Sequence, residues 1–299
     1  MKRLLVTGAT GYIGQAVMRT VAGASYNVHG VSRRPISPAA PNILMHKVNL
    51  LNTDSVDALF GRIRPSYLLH LAWDVSGSFY SSDTNRAWLR ASKHLIDAFQ
   101  KNGGRRAVMA GTCVEYDVQH GYCVEGQTPC APQTLYGQCK HELHQYSSEL
   151  SESAEFDVAW LRIFSSFGPG EANARLVPAA LQALRTNNPL DVSDGSQVRD
   201  YLHVYDVAAA CLAVLQSDVT GAVNICSGRP VQVADVLLHL ADLFNSHHLI
   251  RWGTRPRRPT DPPFIAGSNA RLLDETDWLP LFSLESGLRH VVAHATNAD

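Results

Sequence analysis

Near its N-terminus the chain reads Leu4-Leu5-Val6-Thr7-Gly8-Ala9-Thr10-Gly11-Tyr12-Ile13-Gly14. The apolar residues before Thr7 predict a short buried strand, and the residues from Gln15 onward predict a helix. A strand, a glycine-rich turn and a helix form the βα unit that binds a dinucleotide pyrophosphate at the helix N-terminus. The glycines allow a tight turn, close approach of the backbone to phosphate, and packing of the helix on the strand.

A second motif, Tyr-Gly-Gln-Cys-Lys, occupies residues 136–140. Tyr136 and Lys140 are one helical turn apart and share a helix face. Carbonyl reduction by a nicotinamide needs a proton on the oxygen while hydride reaches the carbon. A phenol has an ordinary pKa of about 10, and we expect the neighbouring Lys140 ammonium to lower that pKa. The two motifs together predict an oxidoreductase.

The composition bounds the class of protein. A chain of 299 residues with 45% hydrophobic content can bury a full α/β core and a smaller lobe. With 26 basic and 27 acidic residues, the net charge of −1 favours neither nucleic acid nor a membrane surface as a partner. The six cysteines form no CxxC pair, so neither a zinc site nor a disulfide framework is indicated. No stretch approaches the roughly 18 apolar residues of a membrane span, and we expect a soluble cytoplasmic enzyme.

Strand-like apolar runs alternate with helical patterns in the first part of the chain, which predicts a doubly wound parallel sheet of the Rossmann type. The predicted strands are Leu4–Val6, Asn27–Ser32, Tyr67–Leu71, Ala107–Ala110 and Val158–Ile163. The predicted helices are Gln15–Val21, Asp54–Phe60, Thr84–Lys101 and Tyr136–Leu150. Beyond Gly168-Pro169-Gly170 the pattern is less regular. There we expect a helix at Asp206–Leu215 and a strand at Ala222–Cys226 that rejoins the main sheet.

These elements suggest two lobes. Residues 1–167 and 204–228 are predicted to form the dinucleotide-binding Rossmann domain, and residues 168–203 and 229–299 a smaller, discontinuous substrate lobe. In the second lobe, Arg251–Pro263 is rich in proline and arginine and is expected to be extended and exposed.

The motifs resemble those of the extended short-chain dehydrogenases/reductases, the epimerase/dehydratase branch that acts on nucleotide sugars, nearly end to end. Residues 7–14 resemble its TGxxGxxG turn, residues 161–170 its LRxxNxYGPG segment and residues 199–208 its RDYxHVxDVA segment. His70-Leu71-Ala72 and Asn85 match further family positions, and residues 111–116 match the end of its active-site strand.

The resemblance implies the roles of several residues. Thr112, Tyr136 and Lys140 would be catalytic, with the Thr112 hydroxyl holding the substrate carbonyl oxygen and Lys140 also binding the nicotinamide ribose. Arg199 and Arg258 match arginines that grip a nucleotide-sugar diphosphate, and Arg175 is a candidate for the pocket floor. The predicted cofactor-binding residues are Gly8, Thr10, Gly11, Tyr12, Ile13, Gly14, Ser32, Arg33, Arg34, Asn49, Leu50, Leu71, Ala72 and Lys140.

The end of the second strand indicates the preferred cofactor. Enzymes that select NAD place an acidic residue there, about 20 residues past the glycines. This chain has Ser32-Arg33-Arg34, and two guanidiniums with a hydroxyl suit a 2′-phosphate. NADP(H) is therefore the predicted cofactor. Asn49, ahead of Leu50, stands where the family usually has an aspartate near the adenine ring, and an asparagine can still bind an exocyclic amine.

Departures from the family's subgroups narrow the reaction. The 4,6-dehydratases carry an acid where Val114 stands, and Glu115, one place later, would point to the other side of an extended segment. The 3,5-epimerase/reductases have a cysteine at the Val114 position and a histidine at the Arg175 position, whereas Cys113 is one place too early. With dehydration and epimerisation disfavoured, the predicted reaction is simple reduction at C4. Residues 221–228 and 267–272 further resemble GDP-4-keto-6-deoxymannose reductases.

The sequence therefore predicts an NADPH-dependent reductase that acts on the 4-keto group of a nucleotide-linked 4-keto-6-deoxyhexose. One alternative is a 4-epimerase that retains NAD(P) tightly and uses the same Tyr136 and Lys140. A second is a non-catalytic NADP-sensing protein, which the presence of this pair disfavours. Apart from its nucleotide-sugar substrate, we expect as partner a second copy of the chain in a homodimer.

Overall fold

A parallel β-sheet with helices on both faces forms the larger part of the protein. The computed structural model describes residues 2–33, 40–153, 156–257 and 261–296. The strands are β1 Lys2–Thr7, β2 Tyr26–Ser32, β3 Ile43–Lys47, β4 Tyr67–His70, β5 Arg106–Thr112, β6 Tyr122–Cys123, β7 Asp157–Ile163, β8 Ser165–Phe167, β9 Leu190–Asp191, β10 Val198–His203, β11 Gly221–Ile225, β12 Pro230–Gln232, β13 Ile250–Arg251 and β14 Phe264–Gly267. The helices are α1 Tyr12–Val21, α2 Thr53–Ile63, α3 Thr84–Lys101, α4 Leu135–Ser153, α5 Leu176–Arg185, α6 Val204–Gln216, α7 Val233–Phe244, α8 Ala270–Asp274 and α9 Leu284–Thr296.

The main sheet has the strand order β11-β7-β5-β4-β1-β2-β3, and all of its strand pairs are parallel. The order reverses at β1, which pairs with β2 on one side and β4 on the other. In such sheets a crevice opens at this switch point, beyond the carboxyl ends of the strands. The predicted doubly wound fold is confirmed, and the predicted strand at Ala222–Cys226 does rejoin the sheet, as β11 beside β7.

Two apolar clusters bury the faces of this sheet. On one face α1 and α6 pack together, with Val17 and Val207 fully buried. On the other face α2, α3 and α4 cover the sheet, with Phe60 and Phe99 in edge-to-face contact. Because both faces are covered, the central strands are continuous apolar runs rather than alternating ones.

A second sheet joins strands of residues 168–203 and 229–299 to β6 and β8, which lie in the segment 1–167. Its strand order is β12-β10-β14-β6, and β8 pairs with β10. Helices α5, α7 and α9 pack around a separate apolar cluster that includes Val177, Leu240 and Leu288. The described parts of 251–263 contain no helix and are mostly exposed, as predicted. No helix in the described ranges is long and apolar enough to cross a membrane.

Candidate active site

The glycine-rich turn lies at the switch point of the main sheet. Gly8 has a φ of +68° and a Cβ there would lie 2.8 Å from the backbone nitrogen of Ala72, so only glycine fits. A Cβ at Gly14 would collide with the Gly8 carbonyl, which forces the same choice. Helix α1 begins at Tyr12 rather than at the predicted Gln15, because Gly11 already serves as its N-cap.

This helix terminus fits a dinucleotide pyrophosphate. Gly11 provides no side chain to cap the first turn, and within the described residues no other side chain does so. The leading N–H groups of α1 are therefore available to an anion, and the helix dipole favours negative charge there.

A cavity of about 630 Å³ runs from this turn along the end of β2. It is lined by Gly8, Thr10, Gly11, Ser32, Arg33, Leu50, Ala72, Trp73 and Trp88, among others. The Thr10 and Ser32 hydroxyls lie 3.4 Å apart, and the Arg33 side chain is exposed. Asn49 is exposed, and its side-chain oxygen accepts a hydrogen bond from the backbone of Leu51. Arg34 lies outside the described residues.

The predicted catalytic residues meet in a second cavity of about 410 Å³, which also contains Gly11, Tyr12, Ile13, Gly14 and Leu71. Thr112 ends β5, while Tyr136 and Lys140 occupy the first turns of α4. The Thr112 side chain lies beside the Tyr136 phenol, close enough to act on its pKa. Tyr136 is 9% exposed and Lys140 2% exposed, so both groups react away from bulk water.

The electrostatics of this pair differ from the expectation. Burial raises the pKa of Tyr136. Glu115 and Tyr80 add to this effect, and the Thr112 side chain opposes it. Burial also lowers the pKa of Lys140 to about 7. The Lys140 ammonium donates to the Ala110 carbonyl oxygen at 2.7 Å rather than serving the phenol. The prediction that Lys140 lowers the phenol pKa is therefore wrong here, because loss of hydration dominates for both groups.

A buried carboxylate that the sequence reasoning left aside supports the site. Residues 113–115 form one turn of 3₁₀ helix, not the extended segment that we assumed. Glu115 is fully buried and accepts hydrogen bonds from the Thr112 backbone at 2.7 Å, from Trp160 Nε1 at 3.0 Å and from Arg162 Nε at 3.2 Å. Val114 lines the cavity instead. The carboxylate therefore fixes the end of β5 and is not a free base.

The thiol and imidazole groups nearby are poorly suited to catalysis. Burial raises the pKa of Cys113, which lines the cavity, to about 12 and keeps it protonated. Ligand atoms of Glu115, His141 and His144 lie within 4.8 Å of one another. The Arg162 guanidinium pairs with this carboxylate and disfavours a metal cation there.

The three arginines that were predicted to bind substrate lie in different surroundings. Arg175 lines the second cavity at the start of α5, 5.7 Å from the centre of the Phe79 ring. Arg199 is mostly buried and donates to Asp261 at 2.6 Å. Arg258 lies outside the described residues. The cavity also contains Ser165, Ser166 and Tyr201, which the sequence reasoning did not select.

Comparisons with known proteins show which sequences and folds this chain is similar to. The profile of the NAD dependent epimerase/dehydratase family matches residues 4–226. The GDP-6-deoxy-D-mannose reductase of Pseudomonas aeruginosa is 26% identical, with 98% of this chain and 96% of the relative covered.

Two solved structures share the fold. UDP-glucose 4-epimerase of Thermotoga maritima with UDP-glucose has a TM-score of 0.90 at 22% identity, covering 99% of each chain. RMD from Pseudomonas aeruginosa complexed with NADPH has a TM-score of 0.85 at 24% identity, covering 100% of each chain. The similar proteins thus include both reductases and epimerases.

Proposed function

Because this chain belongs to the NAD dependent epimerase/dehydratase family, we propose that it is an NADPH-dependent reductase of a nucleotide-linked 4-keto-6-deoxyhexose. The family modifies nucleotide sugars with a pyridine nucleotide. The observation that carries the finer proposal is a cavity that combines Thr112, Tyr136 and Lys140. Glu171 is the one carboxyl group among the described residues that line it, and burial raises its pKa to about 8, which favours the protonated acid over the base at neutral pH. Val114 is apolar and the Cys113 thiol stays protonated. The oxygens of Glu115 accept hydrogen bonds from Arg162 and Trp160, so this carboxylate is not free to act as a base.

The protonation state of Tyr136 is the one that carbonyl reduction requires. Its raised pKa keeps the phenol protonated at neutral pH, so it is a proton donor for the oxygen of a reduced carbonyl. A bound nicotinamide supplies hydride in this chemistry. The Thr112 hydroxyl positions the carbonyl oxygen, Tyr136 gives that oxygen its proton, and the phenolate regains a proton from solvent.

The cofactor preference rests on the end of β2. Ser32 and Arg33 line the first cavity, and none of the described residues that line it offers a carboxylate to a ribose 2′-hydroxyl. A guanidinium is suited to the oxygens of a 2′-phosphate. The NADPH complex of the Pseudomonas aeruginosa protein with the same fold is in keeping with this preference.

Replacing Arg33 with alanine is expected to weaken NADPH binding by roughly ten- to a hundredfold and NADH binding far less, since a hydrogen bond to a charged group contributes about 1.5–3 kcal/mol. Dissociation constants for both cofactors, measured by titration calorimetry, give the comparison. Arg105→Ala is the control for net charge. It removes the same charge from an exposed position directly before β5, at the edge of the sheet away from the cavity. Equal losses for the two cofactors, or a parent protein that prefers NADH, would contradict the NADPH assignment.

The reaction is tested by incubating the protein in D₂O with NADPH and a 4-keto-6-deoxy nucleotide sugar. We expect one NADPH consumed for each sugar reduced, with hydride at C4 and no enzyme-dependent deuterium at C3 or C5. NMR of the product and absorbance of NADPH measure both. Deuterium at C3 or C5 above a no-enzyme control would indicate an epimerising reductase. Interconversion of C4 epimers without net NADPH consumption would indicate a 4-epimerase.

Three further expectations belong to this proposal. Arg175 and Arg199 are proposed to bind the substrate diphosphate, the active form is proposed to be a homodimer, and its compartment is proposed to be the cytoplasm. Light scattering of the purified protein measures the oligomeric state.

A further inference from the structure

Trp73 lies at the junction of the two cavities and lines both of them. It follows β4 directly, after Leu71 and Ala72. Its indole stacks against Trp88 on the side of the first cavity and meets the Tyr136 ring edge-on on the side of the second, with 6.3 Å between ring centres in each case. A large flat side chain therefore lies between the two cavities.

The orientation of this indole is fixed by Asn85. Trp73 Nε1 donates to Asn85 Oδ1 at 2.8 Å. The Asn85 amide nitrogen donates to the carbonyl oxygens of Phe79 and Ser82 at 2.6 and 2.8 Å, and the residue is fully buried. Its side-chain oxygen and both amide hydrogens are thus engaged, so the asparagine holds the indole in one position.

The face of the indole covers the Lys140 ammonium. Lys140 Nζ lies 4.0 Å from the centre of the Trp73 ring and donates to the Ala110 carbonyl oxygen at 2.7 Å. An ammonium has three donors, and tryptophan is the most favourable aromatic partner for a cation. One hydrogen faces the carbonyl and one faces the indole, which leaves one for a hydroxyl in the cavity.

We propose that Trp73 is a positioning residue that holds the Lys140 ammonium against the Ala110 carbonyl, with Asn85 fixing the indole in turn. Its relevance to catalysis rests on the proposed function, in which Lys140 belongs to the catalytic cavity and binds the nicotinamide ribose. The contacts themselves do not depend on the substrate.

The indole also stabilises the charge of Lys140. Burial lowers the pKa of Lys140 to about 7, and Glu115 is the acid that opposes this effect. His70 also faces the ammonium from β4, but its pKa is lowered to about 3, so it is neutral between Thr7 and Ser92. Since the Tyr136 phenol is protonated as well, the ammonium is supported by Glu115, the Ala110 carbonyl and the indole face.

The test is a titration of Lys140 in the protein without cofactor or substrate. Protein labelled with ¹³C at lysine Cε is followed by NMR against pH, and Lys140→Arg identifies the signal. In Trp73→Leu, which keeps an apolar cover but removes the aromatic face, we expect the Lys140 midpoint to fall by about one pH unit. Trp73→Phe retains a weaker face and is expected to lower it by about half a unit. Trp252→Phe, exposed in the other lobe, is expected to leave it unchanged.

A midpoint that is unchanged or higher in Trp73→Leu would overturn the proposal. Should that variant fail to fold by circular dichroism, the Trp73→Phe midpoint decides in the same way. With a 4-keto sugar, turnover of NADPH is expected to fall as the pH is raised and Lys140 loses its proton. In the same variants this fall should begin at a lower pH than in the parent. A lowered midpoint in a protein that reduces no 4-keto sugar would support the role of Trp73 and reject the proposed function. Turnover of the sugar with an unshifted midpoint would do the reverse.

Discussion

Replacing Tyr136 with phenylalanine is expected to lower turnover by roughly 10²–10⁴-fold, the usual cost of losing a positioned proton donor. Only the hydroxyl is removed, and the ring keeps its edge-on contacts with Trp73 and Phe79. Cofactor binding should therefore stay close to that of the parent. The measurements are kcat with a verified 4-keto nucleotide sugar and the dissociation constant for NADPH.

Tyr146→Phe is the matched control for this experiment. It removes a hydroxyl from the same helix α4, where the Tyr146 phenol donates to Asp97 at 2.6 Å, away from the cavity. This variant should turn over at close to the parent rate. A Tyr136→Phe protein that is equally active would show that another group protonates the carbonyl oxygen.

Replacing Glu115 with alanine is expected to lower the free energy of unfolding by about 3–5 kcal/mol, the usual loss when one partner of a buried ion pair is removed. The pKa of Glu115 is raised by burial despite the nearby guanidinium, so the pair itself is not strongly stabilising. The loss arises because Arg162 Nε, Trp160 Nε1 and the backbone N–H of Thr112 would remain buried without the acceptor that Glu115 provides. Urea denaturation with linear extrapolation measures the change.

An exposed ion pair provides the comparison for this variant. Arg271 and Glu275 form a surface contact one helical turn apart, with a shortest distance of 2.6 Å. Glu275→Ala should cost only about 0.3–0.5 kcal/mol, as for other exposed helical pairs. If Glu115→Ala were no more destabilising than Glu275→Ala, the carboxylate would not be the support of β5 that its contacts indicate.

Regular elements were predictable because their signals are local. Helix α3 runs from Thr84 to Lys101, the predicted bounds, since its amphipathic period extends over the whole segment. Strand β3 at Ile43–Lys47 was missed, because its apolar run ends after Met45 and this half-buried edge strand shows no strict alternation of apolar and polar residues. The strands of the smaller lobe that have only two or three residues contain too few side chains to show a period.

The site was partly predictable for a related reason. Parallel strands bring their carboxyl ends to one edge, and this is why the motifs after β1 and β5 meet. The residues that hold the site in place act through contacts between segments distant in sequence, which no local sequence pattern predicts. Glu115 and Arg162 are far apart in sequence, although an arginine within the apolar run of β7 did signal a buried partner. The role of Trp73 depends on Asn85 and Lys140, which lie on two other elements.

The return of the chain to the main sheet affects how this protein can be divided. Strand β11 pairs along β7 from Ala159 to Ile163, and α6 covers the same face as α1. A fragment that stopped after β8 would leave β7 as an unpaired apolar edge, which invites pairing between molecules. Exchange of the smaller lobe with that of a relative therefore has to be made in two pieces, on either side of an intact stretch from α6 through β11. A chimera joined at one point would lack an edge strand of the main sheet and the helix that packs on α1.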